Sequence, residues 1–497
     1  RRRPRGGRRA SIRIARDRHD EDGTYLACTV TRRHIAQLTL TSAALFAVVM
    51  PAPEELMDPV LRQLDPLLDD EALVDRVLEV QRRRRPQSAR RGRPGTPATV
   101  VLRLLVLKHL RGWSYDQLEW EVTGNLVYRR FCRIDAGKVP DAKTILRQGQ
   151  LLDGPVLREL FDRITHLAVE RKVTVGRRMR VDTTVVEAPI RYPTDSGLCE
   201  DVVRVMRRYM ERLVAAGVRL SFPLRHVGRS VSRRMREIGQ ALRLRGDAAK
   251  EAIKKPYRGL LRVTGRLVRQ GNKAAQAAKD QLGALPEAAR AAVGRVLAQL
   301  ETMLPRAQQV LQQTRGRVIR GVTNSKEKLI SVFEPYAQIL RRGKLHKPTE
   351  FGMLVKVQEA EHGIVTDVDL VPGKADAPLL VPSVERHIAV CGRPPKIVAT
   401  DRGFFSCDGE QKLRELGVHH AAIPKPGYRS KERVAHERQR WFRKARAWRA
   451  RGEARISRLK HRFGMARSRY KGPAGFARAV VWAAIANNLV AIATSAG

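Results

Sequence analysis

The chain has 497 residues, 97 of them Lys or Arg against 50 Asp or Glu, for a formal charge of +47 with 43% hydrophobic residues. That length exceeds one ordinary domain and predicts two to four units, while the basic excess points to a polyanionic partner, nucleic acid first and an anionic membrane second. Five scattered cysteines with no CxxC pair argue against a structural zinc site and for a reducing compartment.

Residues 1–49 open RRRPRGGRR without an initiator Met and read as a disordered or upstream segment. The apolar run at 35–50 is sixteen residues long, short of the roughly twenty needed to span a bilayer, so no membrane partner is expected. Residues 50–95 hold a helical acidic stretch, LMDPVLRQLDPLLDDEALVDRVLEV, followed by the basic linker QRRRRPQSARRGRPG. From 96 to 170 the pattern is all helical. Thr96 and Pro97 start a helix, Gly112 stops it and Ser114 caps the next, which is the outline of a helix-turn-helix DNA-binding domain.

Past residue 170 the period changes. RRMRVDTTVVEA puts Met179, Val181, Thr183 and Val185 on one face and Asp182, Thr184 and Val186 on the other, as a strand does. FGMLVKVQEAE and GIVTDVDLVPG give two more strands around His362 and Gly363, PKIVATDRGFF a fourth and GVHHAAIPK a fifth. Helical stretches between and after them make an α/β domain from segments 171–200 and 344–497. Residues 201–343, rich in Ala, Leu, Arg and Gln, read as a helical insertion, because a structureless loop of that size is implausible.

Three carboxylates stand out. Asp182 lies mid-strand, Asp401 ends the fourth strand, and Glu453 is the single acid among fourteen Lys or Arg between Arg438 and Gly472. Taken alone, Asp182 also reads as a satisfied edge acid, Asp401 as a cap, and Glu453 as half of a helix salt bridge with Arg449. On a continuous helix, Trp448, Gly452, Ile456, Leu459 and Phe463 form a buried stripe and Arg449, Glu453 and Lys460 its border. Oxygen ligands from two strands and a helix suit Mg²⁺, and two such ions about 3.5–4 Å apart serve phosphodiester displacement. His419 and His420 read as structural or phosphate contacts. Asp195, Asp367, Asp369 and Asp376 read as solvated turn or face residues.

DTTVVEAPIRYPTDSG, EFG at 350–352, ATDRGF, RARGEARISRLKHRFG and the terminal ANNL resemble the catalytic domain of bacterial insertion-sequence transposases of the DDE class, in particular the ISNCY-type group. RGRPGTPATVVLRLLVLKHLRGWSYDQLEWEV, LVYRRFCRI and VPDAKT are similar to their amino-terminal domain, and the likeness runs from about Leu56 to the end. The resemblance implies a ribonuclease H-like fold, here a mixed five-stranded sheet with flanking helices, and Asp182, Asp401 and Glu453 as catalytic, metal-binding residues. It implies two Mg²⁺ ions, replaceable by Mn²⁺. Arg449 and Lys460 match its basic signature; the aromatic that often opens the signature is Arg446 here, with Trp448 nearby. Arg449, Lys460, Arg455, Arg402, Arg129 and Arg130 are the candidate DNA contacts.

The expected function is binding of terminal inverted repeats, followed by strand cleavage and strand transfer. The expected partners are double-stranded DNA and a second copy or larger assembly, in the bacterial cytoplasm at the nucleoid. A repurposed or inactive DNA-binding protein is the alternative, and a nuclease that cuts without joining a third reading.

Overall fold

A computed structural model describes residues 55–84 and 95–495, apart from 136, 245, 323–326, 342–346 and 374. The segment 1–49 and most of the basic linker, with the expectations attached to them, lie outside the described residues.

The amino-terminal part is built from helices α1 (Pro59–Leu64), α2 (Glu71–Arg84), α3 (Ala98–Arg111), α4 (Tyr115–Gly124), α5 (Leu126–Phe131), α6 (Ala142–Leu151) and α7 (Gly154–Glu170). α3 is apolar nearly all round, and every residue from Ala98 to Lys108 is buried. Its Gly112 stop adopts φ 70°, the left-handed conformation that favours glycine, and Ser114 and Gln117 form a reciprocal capping box on α4. The acidic island has a structural use. Arg103, fully buried on α3, binds Asp65 at 2.6 Å and Asp69 at 2.7 Å, and Arg163 on α7 binds Asp70 at 2.7 Å. Residues 59–84 therefore share one core with the helices that follow them.

The sheet has strands β1 (Arg178–Glu187), β2 (Gln338–Leu340), β3 (Glu350–Glu359), β4 (Val365–Leu370), β5 (Ile397–Ala399) and β6 (His420–Ala422). β3 pairs antiparallel with β1 on one side and with β4 and β2 on the other; β5 runs parallel to β1, and β6 parallel to β5. Among the described residues six strands thus stand where five were expected. The extra one, β2, is three residues long, too short for a periodic signal.

Helices α8 (Asp195–Ala215), α9 (Gly228–Ala241), α10 (Gly246–Gln281) and α11 (Glu287–Thr314) lie between β1 and β2 and close their own apolar core. α12 (Leu380–Cys391) and α13 (Cys407–Glu415) cover the sheet face carrying Met179 and Val181. The other face, with Val186, meets α16 (Gly452–Arg462) and α17 (Gly472–Ser495), while α14 (Lys431–Arg438) and α15 (Arg440–Ala450) lead into them.

α17 is long and apolar enough to cross a membrane, yet 78% of its apolar window is buried inside the fold, against α7, β4, α1 and α3. It joins the helical part to the sheet. The ANNL motif falls here: Asn488 donates to Val365 O (2.7 Å) and accepts from Val365 N (2.8 Å), so its amide pairs with β4 as a peptide would.

Two acids expected to be solvated are buried and paired. Asp367 binds Lys356 at 2.7 Å and Arg158 at 2.6 Å, and Asp195 binds Arg317 at 2.9 Å. Cations from other elements offset the cost of burying them, a relation that their position in the sequence does not reveal.

Candidate active site

The parallel register of β1 and β5 aligns Arg178, Met179 and Arg180 with Ile397, Val398 and Ala399. Two residues beyond that ladder on each chain come Asp182 and Asp401, so the register brings them level and, with the period of two, to the same face. Asp182 is the one partly open position in the buried run from Met179 to Val186. Its Oδ1 accepts from the Thr183 amide at 2.8 Å. Asp401 caps the turn Arg402–Phe404, its carboxylate accepting from Gly403 N at 2.8 Å. A Cβ on Gly403 would fall 2.9 Å from Asp376 Oδ2 and 3.1 Å from Asp401 Oδ1, which places a further carboxylate, Asp376, beside Asp401.

The helix carrying Glu453 is not continuous. α15 ends at Ala450 and α16 begins at Gly452, with Arg449 in the last turn of one and Glu453 in the first turn of the other. The cause of the break comes from the sheet. Arg180 Nη1 donates to Trp448 O at 2.5 Å, and in an unbroken helix that carbonyl would accept from the Gly452 amide. The expected stripe survives it in part: Gly452, Leu459 and Phe463 are buried, whereas Trp448 and Ile456 are half-buried.

One guanidinium links the three acids. Arg449 Nη2 lies 2.9 Å from Asp182 Oδ2 and 3.7 Å from Asp401 Oδ2, and its Nη1 lies 4.0 Å from Glu453 Oε1. Its Nε is buried without a hydrogen-bond partner, so charge holds the group more than a complete set of acceptors. Among the described residues no three His, Cys, Asp or Glu side chains converge closely enough to hold a metal as they stand. The carboxylates nevertheless fit a hard divalent cation in kind. A positive group already sits between Asp182 and Asp401, and Glu453, with a side chain 77% exposed, lies at the edge of ion-pair distance from that same group.

The other sequence-selected cations are placed as follows. Arg455 Nε binds Glu359 at 3.2 Å and its Nη1 binds Asn487 at 3.2 Å. Arg129 donates to the carbonyls of Asp135 and Gly137 and so pins a turn, and Arg130 lies 3.6 Å from Asp135. Lys460 is half-buried, whereas Arg402 is exposed beside Asp401. His420 stacks on Trp441 at 4.3 Å between ring centres. Five of the fourteen basic residues between Arg438 and Gly472, none singled out in the sequence as a DNA contact, are exposed: Arg440, Arg443, Lys444 and Arg446 on α15 and Arg451 in the turn that follows it.

Residues 53–150 match a family model described as a transposase domain (DUF772), and residues 347–489 match the transposase DDE domain. No curated protein and no solved structure gives a significant match. Both matched domains are transposase domains. Their order along the chain supports an insertion-sequence transposase of the DDE class, and neither match separates the ISNCY type from others. Asp401 and Glu453 lie inside the matched DDE span, and Asp182 lies before it.

Proposed function

We propose that this transposase cuts and joins DNA strands at its element's ends, with Asp182, Asp401 and Glu453 as the catalytic carboxylates. The observation that carries the reading is the convergence of all three on Arg449, from positions 182, 401 and 453. Three carboxylates around one cation need positive charge to offset their repulsion. They would hold Mg²⁺ or Mn²⁺, which when bound activates the attacking oxygen and stabilises the leaving one. Arg449 neutralises the carboxylates before the ion arrives, then becomes available to a phosphate next to Glu453.

The remaining roles follow from placement. The sheet, with β1 to β4 paired antiparallel, β5 and β6 added in parallel beside β1, and helices on both faces, supports the ribonuclease H-like reading. The exposed face of α15 and Arg402 would run along the DNA backbone beside the acids. Arg130 and Lys460 stay candidates at the edges of that path. Arg129 and Arg455 act on DNA only through the turn and the helix they hold. We assign end recognition to the α3–α4 pair and a second copy to the second DNA end, in the bacterial cytoplasm.

Strand cleavage tests the proposal. With linear DNA spanning the element that carries the coding sequence, Asp182→Asn, Asp401→Asn and Glu453→Gln are expected to abolish Mn²⁺-dependent cutting while retaining DNA binding. Normal cutting by any one variant removes that residue from the set, and binding without cutting by the unaltered protein favours the inactive alternative.

A further inference from the structure

The break before Glu453 is fastened from the sheet side by a buried ionic cluster that the catalytic reading does not use. Arg180 lies two residues before Asp182 on β1, and its cross-strand partner on β3 is Glu359. Arg180 Nε and Nη2 both donate to Glu359 Oε2, at 3.0 and 2.7 Å. The remaining nitrogen, Nη1, takes the Trp448 carbonyl, and the guanidinium lies 4.7 Å from the centre of the Trp448 ring. The second oxygen of Glu359 accepts from Arg455 Nε at 3.2 Å.

Glu359 therefore ties the sheet to the chain on both sides of Glu453, through Trp448 before it and Arg455 after it. The approach is close. A Cβ on Gly452 would stand 3.3 Å from Arg180 Nε, so the start of α16 rests directly on this side chain. Such a cluster is a poor source of stability, since desolvating two guanidinium groups and a carboxylate costs as much as apolar packing would gain. What the cluster supplies is direction. A planar fork fixes the carbonyl of residue 448, and with it the angle at which α16 leaves the break, far more narrowly than apolar contact does.

We propose that Glu359 and Arg180 are positioning residues that hold the α15–α16 break in the geometry that presents Glu453 to Arg449, the guanidinium it shares with Asp182 and Asp401. The inference rests on Glu453 being the third catalytic carboxylate. It assigns Glu359, itself 4% exposed, no contact with DNA or metal.

Arg180→Lys keeps a charge opposite Glu359 but cannot bind both Glu359 and Trp448 O as a fork; Gly452→Ala keeps every charge and presses on the contact. Both are compared with the unaltered protein in three measurements: Mn²⁺ binding to the DNA-free protein by calorimetry, the Mn²⁺ concentration for half-maximal cutting, and affinity for the same DNA without metal. Loss of an outer partner of a metal ligand typically costs 10- to 100-fold. The expected result is weaker Mn²⁺ binding and a half-maximal concentration raised about tenfold or more, with DNA affinity unchanged. Saturating Mn²⁺ is expected to restore part of the rate. Unchanged Mn²⁺ dependence in both variants overturns the proposal, as does a parallel fall in DNA affinity and cutting, the mark of general destabilisation. If Arg180→Lys does not fold, Gly452→Ala decides alone. Normal cutting by Glu453→Gln removes the underlying reading, whereas an inactive Glu453→Gln beside unaffected Arg180→Lys and Gly452→Ala removes the positioning role only.

Discussion

Replacing Arg449 by Met is expected to tighten divalent-metal binding, even though it alters a residue of the proposed catalytic centre. The guanidinium makes one charge-assisted hydrogen bond, to Asp182 at 2.9 Å, and two looser contacts, to Asp401 at 3.7 Å and Glu453 at 4.0 Å. The first contributes about 1.5–3 kcal/mol, and each of the others less than about 1 kcal/mol because they are longer and partly solvated. A metal ion entering between the aspartates has to displace this competitor. Removing it lowers the dissociation constant by about 10- to 100-fold, at about 1.4 kcal/mol per factor of ten. Calorimetric titration of DNA-free protein with Mn²⁺ measures the effect. The same substitution destabilises the metal-free protein, because the carboxylates then face one another without a cation. Unchanged or weaker Mn²⁺ binding in Arg449→Met would refute the reasoning, since the arginine would then not stand in the place of the ion. Combining it with Asp182→Asn is expected to cancel the gain.

Two further predictions concern the scaffold. Asn488→Ala leaves the buried amide and carbonyl of Val365 without their partner, which is expected to lower stability by about 2–4 kcal/mol in urea unfolding; a change within error would show that the motif is not a latch. Lys108, buried beside Tyr115 and Tyr470 and near Arg469, is pushed by burial from 10.5 down to about 8. The unfolded chain then binds more protons than the folded one between those values. Stability from this group therefore rises as pH climbs from about 8 to 10.5, by about 3 kcal/mol in all. Lys108→Met is expected to gain that amount at pH 7 and to flatten the rise, as read from paired unfolding curves; parallel pH profiles would count against it.

Much of the site was legible because its parts are local. The alternation around Asp182, the acid after IVAT and the lone Glu453 among fourteen basic residues are each visible within a dozen positions. The cap at Ser114, the turn at His362–Gly363 and the buried stripe through Leu459 are equally local, and the structure has them. The helix break at Arg451 was not legible. Its cause is Arg180, more than 260 residues away in the chain and brought in by β1. The roles of Arg455, Asp195 and Asp367 escaped for the same reason: charge type shows in a sequence, but the partner that neutralises it does not.

The sequence by itself pointed to a polyanion partner, set out the strands and helices of an α/β segment with helices inserted after its first strand, and singled out three acids as candidates, because composition and short-range periodicity follow directly from residue order. Only the tertiary structure decided that Asp182 and Asp401 stand level, that Arg449 occupies the space between them, and that Glu359 fastens both sides of Glu453. Those facts depend on strand register and on ion pairs across long separations, which form when elements pack. Neither is encoded in any one stretch of chain.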